Sequence, residues 1–259
     1  MFEAIILGIL QGLTEFLPVS SSAHLIITPW FFKWDGVVNT LSFDVALHFG
    51  TLLALLFYFR KDWIEIIKGI PQKDAMMWKL LVGTIPAGVV GVLFHDWIAQ
   101  NRDPFVIAFT LCFVSVLMLM SEKNYKEDQR TGLEGINFKN AIFIGIAQAF
   151  ALIPGVSRSG ITIVAGLTKG LKRAEAARFS FLLGTPAVAG ASLLEAKNLV
   201  SADSIELDIF VAGIVVAAVT GYFAIKYLIL FLQKFSLRPF AYYRFLLAFV
   251  IIFSIWLNA

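Results

Sequence analysis

An apolar run that breaks at a proline and resumes through serines leaves its backbone few places to go, and this chain has two of them. The first reads Gln11-Gly-Leu-Thr-Glu15-Phe-Leu-Pro18-Val-Ser20-Ser21-Ser22-Ala-His24. The second reads Gln148-Ala-Phe-Ala-Leu-Ile-Pro154-Gly155-Val-Ser157-Arg158-Ser159-Gly160-Ile-Thr162. A shift of 137 positions pairs Gly8 with Gly145, Gln11 with Gln148, Val19 with Val156, Ser20 with Ser157 and Ser22 with Ser159. Under the same shift Glu15 meets Leu152, Ser21 meets Arg158 and His24 meets Ile161. A duplicated unit with acid and imidazole on one copy and guanidinium on the other reads as one asymmetric site.

The medium follows from composition. Of 259 residues, 59% are hydrophobic and 15% charged, against about 45–50% and about 25% in soluble domains. The expected fold is therefore an all-α integral membrane protein, a single polytopic domain over residues 1–259, since no segment alternates as a barrel strand would. Met-Phe-Glu-Ala at the start has no basic stretch, so a cleaved signal peptide is not expected. Cys112 lies in an apolar run and reads as a small buried hydrophobe.

A membrane span needs about 20 apolar residues. Residues 2–16 and 19–32 are each too short, and read together as a hairpin that enters and leaves on one side. A second hairpin is expected over 139–153 and 156–168. Full spans are expected at 42–60, 77–97, 104–121, 174–196, 207–232 and 240–257, six in all. Repeat one covers about 1–121 and repeat two about 138–257. Placing Arg60 and Lys61 in the cytoplasm puts 17 Lys and Arg residues inside, Arg244 among them. Only Lys33, Arg102 and Lys197 fall outside, beside an acidic loop at 195–208. That asymmetry fits the positive-inside rule and makes the repeats inverted in topology.

Inverted repeats with broken helices set their sites where half-helix ends meet. Pro18 and Pro154 suit the start of each new segment, with Ser20 and Ser157 near its free amides. Free N–H groups, the hydroxyls of Ser20, Ser22, Ser157, Ser159 and Thr162, and the bare backbone at Gly155 and Gly160 suit an anion. The same small residues also serve close helix packing. Arg158 is the more telling group, because an arginine within a membrane is costly and adds a planar fork for phosphate. Gln11 and Glu15 share a helical face and could hold Mg²⁺ or Ca²⁺, or Glu15 could pair with Arg158. Ser21 and His24 also share a face, a hydroxyl beside a proton carrier. Asp44 and His48 suit an entrance or supporting role, while Lys172, Arg173 and Arg178 read as topogenic. His95 and Asp96 close a span, and the six tryptophans sit near span ends.

The motifs at 11–24 and 154–160 resemble those of the undecaprenyl-diphosphatase, or bacitracin-resistance, family, and the likeness in length and span pattern runs through the chain. The resemblance implies hydrolysis of a C55 polyprenyl diphosphate to its monophosphate for peptidoglycan synthesis in the bacterial cytoplasmic membrane. It implies a metal-dependent catalytic set of Glu15, Ser21 as proposed nucleophile, His24 and Arg158, with Gln11 and Glu15 holding the cation. Many members carry Glu where this chain has Gln11, which removes one charge from that pair. A metal-bound water in place of Ser21 stays open as nucleophile. The expected partners are the lipid substrate and membrane lipids, with no nucleic acid, and a homodimer is left open. The rival class is a secondary transporter or lipid-phosphate flippase, which shares inverted repeats but needs no Ser/His pair.

Overall fold

The computed structural model describes residues 1–73, 75–94, 103–123, 125–200 and 206–258, and these fold into eleven α-helices with one isolated backbone bridge between Thr131 and Leu171. The first half contains α1 (Phe2–Phe16), α2 (Ser21–Phe32), α3 (Leu41–Tyr58), α4 (Arg60–Lys68), α5 (Met76–Leu93) and α6 (Pro104–Lys123). The second contains α7 (Phe138–Phe150), α8 (Arg158–Thr168), α9 (Arg173–Val200), α10 (Leu207–Leu232) and α11 (Arg238–Asn258). Among the described residues α3, α5, α6, α10 and α11 are long and apolar enough to cross a membrane. Their outer faces carry exposed apolar side chains such as Phe57, Ile85, Phe109 and Trp256, as lipid contact requires. The chain is a multi-pass membrane protein.

The expected span at 174–196 falls within α9, which is not among those five. Its Ala176, Ala177, Phe179, Ser180, Phe181, Leu182, Leu183 and Thr185 are all buried in protein. Surrounded that way, a helix can carry small and polar residues that a lipid-facing one would not. His95, Asp96, Trp97, Arg102 and Asp203 lie outside the described residues, as do the side chains of Glu195 and Lys197.

Both broken segments are short. Helices α1, α2, α7 and α8 have 15, 12, 13 and 11 residues, so none reaches across about 30 Å of hydrocarbon at about 1.5 Å per residue. The prolines do not begin the second limbs. Pro18 and Pro154 lie within the breaks, and the helices start at Ser21 and Arg158. What starts them is a hydroxyl one residue upstream, able to accept from a free amide. Ser20 Oγ accepts from Ala23 N at 3.4 Å, and Ser157 Oγ from Gly160 N at 3.1 Å. Both caps adopt the same rare backbone, φ 76° at Ser20 and φ 72° at Ser157. Matching strain of this kind costs about 1–3 kcal/mol per residue and persists where the surroundings over-determine it.

Each broken pair packs against a long helix from the other half, α1 on α10 and α7 on α5, while α6 lies along α11. Small residues make the crossings close, which suits a medium where helices gain little from apolar burial. A Cβ on Gly145 would stand 1.9 Å from the Gly83 carbonyl, and one on Gly8 2.9 Å from that of Gly213. Arg173 binds Glu122 through Nη2 at 2.6 Å, and Leu237 N donates to the same carboxylate at 2.8 Å, joining α6, α9 and the start of α11. Arg178 pairs with Asp62 and Glu175. Arg173 and Arg178 are thus held by carboxylates.

Candidate active site

Glu15, in the last turn of α1, is the hub of the polar cluster and is 7% exposed. Arg158 opens α8 and donates from Nη2 to Glu15 Oε1 at 2.7 Å. Ser21 opens α2 and donates to Glu15 Oε2 at 2.6 Å. One turn back on α1, Gln11 donates from Nε2 to Glu15 Oε2 at 3.2 Å and to Thr51 Oγ1 at 3.4 Å. His48 Nε2 stands 3.4 Å from Glu15 Oε2, its ring fixed by Nδ1 donating to the Asp44 carbonyl at 2.8 Å. The direct Glu15–Arg158 pair weighed from sequence is therefore present. The structure brings Gln11, Glu15, Ser21 and Arg158 together across more than half the chain, and adds His48.

His24 does not join them. Its Nδ1 donates to the Ser20 carbonyl at 2.7 Å, its Nε2 meets Tyr243 Oη at 2.7 Å, and its ring stacks on Tyr243. Neither nitrogen is left for Ser21, so the expected Ser21–His24 pair is not formed. The reason is local: at the helix start the Ser21 hydroxyl turns back to Glu15, while His24 reaches the carbonyl four residues before it. Gln11 and Glu15, one turn apart, bond to each other, whereas Ser21 and His24, three apart on α2, take different partners.

The remaining predicted residues divide. Ser20, Ser22 and Ser157 line a cavity of about 780 Å³ together with Glu15, Ser21, His48 and Arg158. Apart from these the wall is largely apolar, with Leu41, Val45, Ala87, Val92, Leu152 and Leu193. Ser159, Gly160 and Thr162 face protein instead. Ser159 Oγ donates to the Leu17 carbonyl at 3.2 Å, and Ser22 Oγ accepts from Gly155 N at 3.4 Å, so each tip holds the other's break. Thr162 Oγ1 donates to the Arg158 carbonyl at 2.7 Å and meets Ser180 Oγ at 2.6 Å, while Gly160 lies against Met118. Reading all six as substrate contacts overlooked this division, because serines that tie two hairpins look the same in sequence as serines that line a pocket.

Two groups were missed. Arg244, assigned to the cytoplasm, is fully buried beside the tips. Its Nη2 donates to the Gly155 carbonyl at 3.0 Å and the Val156 carbonyl at 3.2 Å, and its Nη1 to that of Pro18 at 3.4 Å. The basic-residue count could not separate it from the nearby Arg238. Gly184 is the second. A Cβ there would stand 1.3 Å from Arg158 Nη1, so the guanidinium lies in the notch that glycine leaves. A signal existed, since Gly184-Thr185 repeats Gly50-Thr51 at a shift of 134, three short of the offset between the two motifs.

Several buried atoms in the site lack partners: Arg158 Nη1, Gln11 Oε1, and both amide atoms of Gln148. Among the described residues no three His, Cys, Asp or Glu side chains gather as a full cation cage. One carboxylate with one free amide oxygen is a partial oxygen shell, the kind a hard cation completes with substrate oxygens and water. The donor set fits such an ion. An unpaired guanidinium nitrogen and two helix N-termini beside a carboxylate and a hydroxyl suit phosphate chemistry.

Comparison with known proteins points the same way. The family model described as bacitracin resistance protein BacA matches residues 4–250. An undecaprenyl-diphosphatase of Thermodesulfovibrio yellowstonii is 54% identical over 253 residues, covering 97% of this chain and 96% of that protein. One from Moorella thermoacetica is 45% identical, covering 100% and 99%. A third, from Elusimicrobium minutum, is 44% identical, covering 97% of each.

Proposed function

The chain belongs to the bacitracin resistance protein family, and on that premise we propose how its site works as an undecaprenyl-diphosphatase. It hydrolyses undecaprenyl diphosphate to the monophosphate and phosphate, serves peptidoglycan synthesis and confers resistance to bacitracin. The observation that carries the mechanism is the Arg158–Glu15–Ser21 constellation opening on an apolar-walled cavity.

The diphosphate lies at the polar wall and the prenyl chain along α5, α9 and the α7 end. Arg158 holds the terminal phosphate with the guanidinium hydrogens not given to Glu15, while its Nη2 bond keeps Glu15 in place. Ser21 Oγ attacks the terminal phosphorus as the bridging P–O bond breaks, and the lipid monophosphate leaves. The proton passes from Ser21 to Glu15 along the 2.6 Å hydrogen bond. Water then releases phosphate from the serine ester. The N-termini of α2 and α8 and the Ser157 hydroxyl stabilise the charge that develops on the oxygens. Gln11 and Glu15 would hold Mg²⁺ or Ca²⁺, which supplies charge neutralisation.

The matched caps, the reciprocal Ser22 and Ser159 bonds and the short limbs support an inverted repeat with two re-entrant hairpins in one polytopic domain. The basic-residue asymmetry supports an orientation in the bacterial inner membrane. The test is phosphate release from a polyprenyl diphosphate by purified protein in detergent, with Mg²⁺, Ca²⁺ or chelator. Metal-dependent release is expected. Stable wild-type protein that releases none under any condition would overturn the proposal and make lipid transport the next assay.

A further inference from the structure

Among the described residues, the amide of Gln148 is the one polar side chain on the cavity wall whose two ends are both without a partner. It is 2% exposed, and a buried amide left without hydrogen bonds is destabilising. Its counterpart in the first half shows why. Gln11 gives its N–H groups to Glu15, four residues on, and to Thr51. Four residues beyond Gln148 stands Leu152, itself on the cavity wall, and an alkyl chain accepts nothing. Thr185, 134 positions beyond Thr51, donates to the Phe181 carbonyl at 2.9 Å as Thr51 does to that of His48, but unlike Thr51 it accepts nothing from the glutamine amide. The duplication has kept the amide while removing what satisfied it.

We propose that Gln148 is a substrate-binding residue, whose N–H groups donate to the lipid-linked phosphate of a bound polyprenyl diphosphate. This rests on the phosphatase reading given above. The placement favours that phosphate over the terminal one. Arg158, Ser21 and the α2 and α8 N-termini already serve the terminal group. Gln148 instead stands on α7, the helix packed on α5, which carries the apolar Ala87 and Val92 wall. A neutral donor suits the group that becomes the product, because it binds without the charge that would retain a monophosphate. It also gives the site a contact that inorganic phosphate cannot complete.

The experiment compares wild type, Gln148→Met and Gln148→Glu in detergent, using a methylene-bridged diphosphonate analogue of farnesyl diphosphate as a probe that cannot be cleaved. Calorimetry reads its Kd, and phosphate release from the normal diphosphate reads KM and kcat. A hydrogen bond to a charged acceptor implies a Kd about 10-fold or more weaker in Gln148→Met, and weaker still in Gln148→Glu, where like charges meet. KM should rise with Kd while kcat stays within about 3-fold. Unchanged Kd in either folded variant, or loss of kcat at constant Kd, would overturn the assignment. The binding arm reads Gln148 even if wild type cleaves nothing, so failure of the phosphatase reading would show separately, as absent phosphate release.

Discussion

Arg158 and Arg244 are the same residue type, placed beside the same two helix breaks, and they are satisfied in opposite ways. Arg158 has a carboxylate on Nη2, a bare glycine against its face and nothing on Nη1. Arg244 is not among the residues lining that cavity, and its guanidinium donates to carbonyls of Pro18, Thr110, Leu111, Gly155 and Val156 and to Ser115 Oγ. Broken helices expose carbonyls that lipid cannot satisfy, and Arg244 answers that need at both breaks at once. Thr110 stands at the matching place in the first half, each being six residues beyond the start of its helix. Its hydroxyl donates to the Pro154 carbonyl at 2.8 Å. The difference teaches that an intramembrane arginine marks chemistry only where a donor is left over.

The largest expected effect breaks the comparison from the Arg158 side. Arg158→Ala should lower kcat about 10³-fold, as loss of a preorganised charge contact does, while the protein still elutes as a single species. An equal loss in Arg244→Ala with unchanged stability would erase the distinction. Gly184→Ala comes next. Its methyl must displace the guanidinium, and kcat should fall about 10²-fold, in line with a misplacement of about 1 Å. If Gly184→Ala keeps full activity, the notch has no part in holding Arg158.

Arg244→Leu sharpens the other side. With up to six acceptors orphaned, a loss of about 3 kcal/mol or more is expected, read as a lower melting temperature in detergent. Retained melting temperature would mean the breaks are satisfied some other way. The smallest effect belongs to the histidine that sequence put in the catalytic set. Tyr243→Phe removes one hydrogen bond from His24 and should cost about 1 kcal/mol of stability with kcat within about 3-fold. A collapse of kcat in Tyr243→Phe would return His24 to the catalytic machinery.

The serine caps, the Gln11–Glu15 face and the value of Arg158 were legible because each depends on residues within about one helical turn, or on the cost of a charge in lipid. The places of Gly184 and Arg244 were not, nor was the partner that His48 takes. His48 reaches Glu15 from α3, Gly184 makes room for Arg158 from α9, and Arg244 binds carbonyls as far back as Pro18. Spacing along the chain carries no information on which faces of distant helices meet. The Ser21–His24 reading failed for a related reason, since a shared helical face does not say which partner a cap carbonyl or a nearby carboxylate will claim first.

By itself the sequence determined that the chain lives in a membrane, that it breaks twice in matching places, and that acid, hydroxyl and guanidinium are divided between the copies. Apolar content, helix length and motif offset carry that much without any folding. Only the tertiary structure decided which of the polar groups face a cavity and which hold the breaks together. Buried polar groups must find partners, and in a helical membrane protein those partners come from helices far apart in sequence. We propose that the cavity-wall atoms that found none are where a substrate binds.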